Sequence, residues 1–233
     1  MSAGDAVDER AEGGATVIAI DGPAGSGKSS VARAVARELG FQFLDTGAAY
    51  RALTWLILER GGDTDDEATV LASLGALDTL ELTIDASGQR VAIAGHDVTE
   101  AIRTERISAA VAGVARTLPA REAVNVRFRA IIAAADPGIV AEGRDITTVV
   151  APDADVRVLL TADEAVRIRR RFGDVGGDEQ QVGARLSARD ASDSRVIDFL
   201  HAADGVTVVD STDLTFDETV DAIVRLATEE RHD

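Results

Sequence analysis

The chain has 233 residues, 45% of them hydrophobic, with 41 acidic against 24 basic side chains and a formal net charge of −17. That length buries one full core with room for a small appended unit, and no apolar run approaches the ~18 residues that span a membrane. So acidic a chain is unsuited to coating nucleic acid or anionic membrane, and the absence of cysteine excludes a disulfide framework or thiolate metal site and fits a reducing cytoplasm.

Residues 1–14 are acidic, small and Gly-rich, without the basic and apolar regions of a signal peptide, and read as a disordered tail. Thr16 to Asp21 is a short, continuously apolar run of the kind buried in a parallel sheet. A glycine-rich turn follows, then an amphipathic helix from Ser30 to about Leu39, stopped by Gly40. Phe41 to Leu44 predicts a second strand, Ala48 to Arg60 a helix ended by Gly61-Gly62, and Asp66 to Leu77 another helix. Between Leu80 and Asp97 the period changes to alternation about a turn at Ala86 to Gln89, which predicts an inserted β-hairpin. Helices are expected from Thr104 to Arg116, Ala120 to Ala135 and Phe216 to Glu230. Strands are expected at Gly138 to Ala141, Val156 to Thr161 and Val206 to Asp210. Strand alternating with helix implies an α/β fold with a parallel sheet and right-handed crossovers, as one domain carrying an insert over about 78–103.

Gly22-Pro23-Ala24-Gly25-Ser26-Gly27-Lys28-Ser29 satisfies G-x-x-x-x-G-K-[ST] between a predicted strand and a helix, the context a phosphate-binding P-loop requires. Its backbone N–H groups and the helix N-terminus, extending to Ser30, would cradle the phosphates of ATP. Lys28 would bridge the β- and γ-phosphates, and the Ser29 hydroxyl would ligate Mg²⁺. Lys28 is also the only lysine in the chain, the other basic residues being arginine. A compact ammonium fits such a loop where a planar guanidinium would not. With that lysine committed, an Asn-Lys-x-Asp guanine reader cannot exist, which excludes a regulatory GTPase.

Two further segments end predicted strands at the same edge, where ligands of open parallel sheets sit. One is Leu44-Asp-Thr-Gly-Ala-Ala-Tyr-Arg51, whose Thr46 and Arg51 can hold a second phosphate with Tyr50 alongside. The other is Val140-Ala-Glu-Gly-Arg-Asp145, where Glu142, Gly143, Arg144 and Asp145 close an apolar strand. Arg106, Arg116 and Arg127 read as solvated helix faces. Arg167, Arg169, Arg170 and Arg171 would repel one another without an anion and so point to phosphate. The histidines are scattered and take no metal or catalytic role.

Taken with Asp97-Val-Thr-Glu-Ala-Ile-Arg103 and Arg189-Asp…Asp193-Ser-Arg195, these motifs resemble the bacterial cytidylate kinases, from about Val17 to the final helix. The resemblance implies a P-loop kinase that transfers phosphate from ATP to CMP or dCMP, with the insert as nucleoside-monophosphate subdomain and a mobile lid over about 171–189. It places Thr46, Arg51 and Arg144 on the acceptor's phosphate, supported by Tyr50 and Arg103. Arg121 and Asp145 would read the cytosine edge, Arg189 and Asp193 the ribose, and Arg195 with Arg170 and Arg171 the transferring phosphates. Phe172 to Gly177 would serve as the lid's hinge. It also implies a cytoplasmic monomer with small-molecule partners only, neither nucleic acid nor membrane. The chain departs from the family's pattern at Ala112 and Ala115 (usually serine), at Thr147 (usually glycine), in a shorter lid and in the spacing before Arg195. Another acceptor such as UMP, or a nucleotide-binding module without turnover, remain the competing readings.

Overall fold

The computed structural model describes residues 15–194 and 198–229; the expected tail at 1–14 and Arg195 lie outside them. Five parallel strands form the main sheet: β1 (Thr16–Asp21), β2 (Gln42–Asp45), β6 (Gly138–Gly143), β7 (Val156–Thr161) and β8 (Thr207–Asp210), in the order β2-β6-β1-β7-β8. Side chains alternate across it. Ile18, Ile20, Phe43, Val140, Val158 and Leu160 face helices α1 (Lys28–Leu39) and α8 (Phe216–Glu229). Ala19, Leu44, Ile139 and Ala141 face the opposite layer, built from α2 (Thr46–Glu59), α3 (Glu67–Ser73), α4 (Glu105–Arg116) and α5 (Leu118–Ala133). The inner strands are covered on both faces and so are largely apolar, as the sequence pattern requires, whereas edge strand β8 is exposed at Thr207, Val208 and Asp210.

The register decides what reaches the functional edge. Asp21 pairs with Gly143, and Asp45 with Glu142, so the carboxyl ends of β1, β6 and β2 finish level.

The insert differs in detail from a single hairpin. It is a three-stranded antiparallel sheet, β3 (Glu81–Leu82), β4 (Val91–Ile93) and β5 (His96–Asp97), in that order. β3 is short because the chain leaves the small sheet at Ile84, whose carbonyl accepts from Phe43 N at 2.8 Å beside β2. The helix expected from Asp66 to Leu77 is also divided. Asp66 caps α3 by accepting from Ala68 N and Thr69 N, but a 3-10 segment, Leu74–Thr79, takes over around Gly75, a poor helix former.

Two helices stand where the lid was expected, α6 (Glu164–Val175) and α7 (Glu179–Asp193). The hinge expected at Phe172 to Gly177 is thereby corrected. The chain stays helical through Val175, and only Gly176 and Gly177, both at positive φ, break it before Asp178 caps α7. A π-helical turn, Ile146–Val150, follows β6.

On α5, Phe128 is 1% exposed and meets Tyr50 edge-on at 6.3 Å between ring centroids. Phe128→Ala should therefore cost about 3–5 kcal/mol through the cavity it leaves. Urea unfolding should show this as a lower midpoint with an unchanged m-value.

Candidate active site

The P-loop lies between β1 and α1, and its first glycine is sterically required. Gly22 has φ +154, and a Cβ there would come within 2.1 Å of the Leu160 carbonyl oxygen on β7. Lys28 opens α1, and its Nζ donates to the Pro23 carbonyl at 3.1 Å. Burial first, and then the nearby Arg144 charge, lower the Lys28 pKa to about 7. Next along α1, the Ser29 hydroxyl donates to Glu142 Oε1 at 2.7 Å. Burial and the neighbouring Asp45 push the Glu142 carboxyl up to about 7.

Glu142 was expected on the acceptor side only, but it joins both halves. Its side chain engages Ser29, while its carbonyl accepts from Thr46 Oγ1 at 2.8 Å. Gly143 makes that second contact possible, since a Cβ at this position would lie 2.5 Å from Thr46 Oγ1.

Arg144 turns toward the P-loop. It donates to the Gly22 carbonyl at 2.9 Å, pairs with Asp190 at 3.2 Å and Asp193 at 2.8 Å, and stacks over Phe199 at 4.3 Å. Arg189 is half-buried close to Arg51, Arg144 and Arg171, and desolvation first, then those neighbouring charges, lower its pKa to about 10. Its Nε reaches only a long 3.9 Å contact with Asp193. Arg51 lies beside Gly47 and Asp45, where a Cβ on Gly47 would meet its Nη1 at 3.2 Å. Lys28, Arg51, Arg144 and Arg189 thus share one edge of a protein whose net charge is strongly negative. Asp190, Asp193 and Glu142 offset their repulsion. Cations packed this way are disposed to receive phosphate oxygens from two directions.

Next to this cluster, Arg121 pairs with buried Asp145 and donates to the Ala115 carbonyl at 3.2 Å. Burial is the largest influence on Asp145 and raises its pKa, against the opposing pull of Arg121. Tyr50 stands close enough to feel both charges, and its buried hydroxyl finds no hydrogen bond among the described residues.

Arg103 is bound by the insert, its guanidinium donating to Gln89 Oε1. Arg170 ties α6 to the core, donating to the Ser26 carbonyl at 3.3 Å and to the Ser211 hydroxyl at 2.9 Å. Arg106 and Arg116 make surface ion pairs with Glu59 and Asp65, and Arg127 donates to the Leu80 carbonyl at 3.1 Å.

Several residues were missed. Asp190 on α7 accepts from Ala24 N at 2.9 Å and from Arg167 at 2.6 Å as well as from Arg144, so it pins the P-loop to α7. Its only sequence signal was its place beside Arg189. Asp21, last in β1, accepts from Ile146 N, Thr147 N and Thr147 Oγ1 at 2.9, 2.8 and 2.6 Å, and so fixes the turn after Asp145.

The donors around Ser29 are oxygens, the chemistry Mg²⁺ prefers. The described residues form no cluster of three or more His, Cys, Asp or Glu side chains able to hold a metal. An ion here would be held by Ser29 with nucleotide phosphates as its main ligands, and that fits.

Because Lys28 is poised near neutral pH, a bound triphosphate should restore its charge. Calorimetry at pH 8 in buffers of different ionisation enthalpy should then show net proton uptake on nucleotide binding. Lys28→Met should abolish that uptake.

The comparisons agree with the geometry. A sequence model of the cytidylate kinase family matches residues 18–229. The chain is 48% identical over 213 residues to the cytidylate kinase of Cutibacterium acnes, covering 90% of this chain and 95% of that protein. It is 42% identical to the cytidylate kinases of Streptomyces coelicolor (93% and 94% covered) and Bacillus licheniformis (90% and 94%). With a family match over nearly its whole length and relatives at this identity, the chain belongs to the cytidylate kinase family.

Proposed function

We infer that this protein transfers the γ-phosphoryl group of ATP to CMP or dCMP, giving ADP and CDP or dCDP. The reading is carried by the half-buried cations Lys28, Arg51, Arg144 and Arg189 gathered beside the P-loop at the carboxyl edge of the sheet. In the transfer, an oxygen of the acceptor's phosphate forms a bond to the γ-phosphorus as the bond to the β–γ bridging oxygen breaks. The acceptor is already an anion, so no general base is required. Catalysis then rests on alignment and charge neutralisation.

Each group has a task in that scheme. The loop amides from Gly22 to Ser30 and Lys28 hold the triphosphate, and Ser29 holds Mg²⁺, which supplies charge neutralisation when bound. Thr46, Arg51 and Arg144 grip the acceptor's phosphate, with Tyr50 beside them and Glu142 joining the two halves. Asp145 accepts a hydrogen bond from cytosine's exocyclic amine, which uracil lacks, and Arg121 orients that carboxylate. Arg189 and Asp193 serve the ribose; Arg170, Arg171 and Arg195 serve the lid, whose closure excludes water and so suppresses ATP hydrolysis. The insert forms the acceptor's wall.

Among the described residues no helix is long and apolar enough to cross a membrane, and the absence of cysteine suits the cytoplasm. The acidic charge suits small-molecule partners without nucleic acid, and the chain is proposed to act as a monomer.

Coupled ADP release with a panel of monophosphates tests the acceptor. CMP and dCMP should be used well above UMP, and equal use of UMP would reject Asp145 as the reader of the amine. Asp145→Asn should lower kcat/KM for CMP by roughly 10–200-fold, about 1–3 kcal/mol of lost discrimination, and narrow the gap to UMP. Lys28→Ala should remove about three orders of magnitude of rate, an effect of the size expected for a charge that stabilises the transferring phosphoryl, while leaving the far-UV spectrum unchanged.

A further inference from the structure

The turn between β3 and β4 docks on the main body through specific bonds. Arg37 Nε donates to the Ala86 carbonyl at 2.8 Å, and Arg33 Nη1 to the Gly88 carbonyl at 3.2 Å. Ala86 itself is buried in the cluster around α1. At the end of the turn, the side-chain amide of Gln89 joins three elements. Its Oε1 accepts from Arg33 Nη2 of α1 at 2.6 Å and from Arg103, which ends the 3-10 turn Ala101–Arg103. Its Nε2 donates at 3.2 Å to Asp45 Oδ2, and the other Asp45 oxygen caps α2 through Ala48 N.

The three partners are unlike in freedom and in place. Arg33 is fixed, its guanidinium stacked 4.6 Å over Phe43, and it lies one helical turn after Ser29. Asp45 immediately precedes Thr46, at the acceptor edge. Arg103 is exposed and able to swing.

We propose that Gln89 is a positioning residue for the acceptor's phosphate, holding Arg103 and Asp45 at the rim of the site and tying them, through Arg33, to the helix that carries Lys28 and Ser29. This rests on the acceptor reading above. The neutrality of the amide is what makes it suitable. A carbonyl oxygen holds a guanidinium in place but yields it to a phosphate, whose charge-assisted bond is stronger. A carboxylate there would retain Arg103 in an ion pair and repel Asp45. An aliphatic side chain would release both.

Steady-state kinetics of the full chain tests the proposal, with CMP and ATP varied in turn. Gln89→Ala should raise KM for CMP about ten-fold, the scale of one hydrogen bond to a charged group, with kcat within two-fold and KM for ATP unchanged. Gln89→Glu, close in size and able to keep the turn docked, should raise KM for CMP at least as much. Ser87→Ala disturbs the same turn, where Ser87 bonds Asp85, without touching Arg33, Arg103 or Asp45, and should leave KM for CMP unchanged. The proposal is overturned if either Gln89 variant keeps the wild-type KM for CMP, if both substrates' KM values rise together, or if Ser87→Ala has the same effect. A wild-type protein that turns over ATP with a different acceptor would instead reject the acceptor reading, and this inference with it.

Discussion

Like charges crowded, half-buried, at the end of a parallel sheet are the constraint around which this structure is arranged. Lys28 and Arg189 are both shifted toward their neutral forms by burial and by neighbouring cations. Holding such groups together is unfavourable unless anions share the space. Within the protein, Asp190, Asp193 and Glu142 do so in part, through direct contacts with Arg144, Arg167 and Ser29. Phosphate groups arriving from two substrates would complete the balance, so the energy stored in the repulsion favours binding both.

That arrangement needs rigid placement, which the sheet supplies. Level strand ends set Asp21, Glu142 and Asp45 side by side, and each then anchors a neighbouring segment by its side chain. Asp21 holds the turn after Asp145, Glu142 holds Ser29, and Asp45 caps α2 while meeting Gln89. Asp190 does the corresponding work from α7. It receives a P-loop amide and two arginines at once, so any movement of α7 is felt by the loop that holds the triphosphate.

Departures from the family pattern acquire physical meaning in the same frame. Thr147, where the family usually has glycine, adds a hydroxyl bond to Asp21 that glycine could not make. It stiffens the turn bearing Asp145. Ala112 and Ala115 carry no hydroxyl, but the Ala115 carbonyl holds Arg121 in place against Asp145.

Much of the chain was legible before any fold was known. Continuous apolar runs marked four of the main-sheet strands, because strands covered on both faces have no polar side to show. The lone lysine inside Gly22 to Ser29 marked the loop, and the segments bearing Thr46, Arg51 and Arg144 were legible as lying at its edge because short motifs ended predicted strands. Helices α6 and α7 were not separated in the sequence, since a glycine pair and an arginine-rich stretch are equally compatible with a loose segment. The split of the Asp66 helix at Gly75 was hidden too, as one glycine is often tolerated in a helix.

By itself the sequence determined the α/β class and the P-loop between its first strand and helix, because each depends on local spacing and side-chain chemistry. Only the tertiary structure decided which charges meet. Asp190 meets Ala24 across 166 residues of chain, Asp21 meets Thr147 across 126, and Gln89 meets Asp45 and Arg33 across 44 and 56. Contacts across such separations are set by strand register and helix packing, and local pattern carries no record of them.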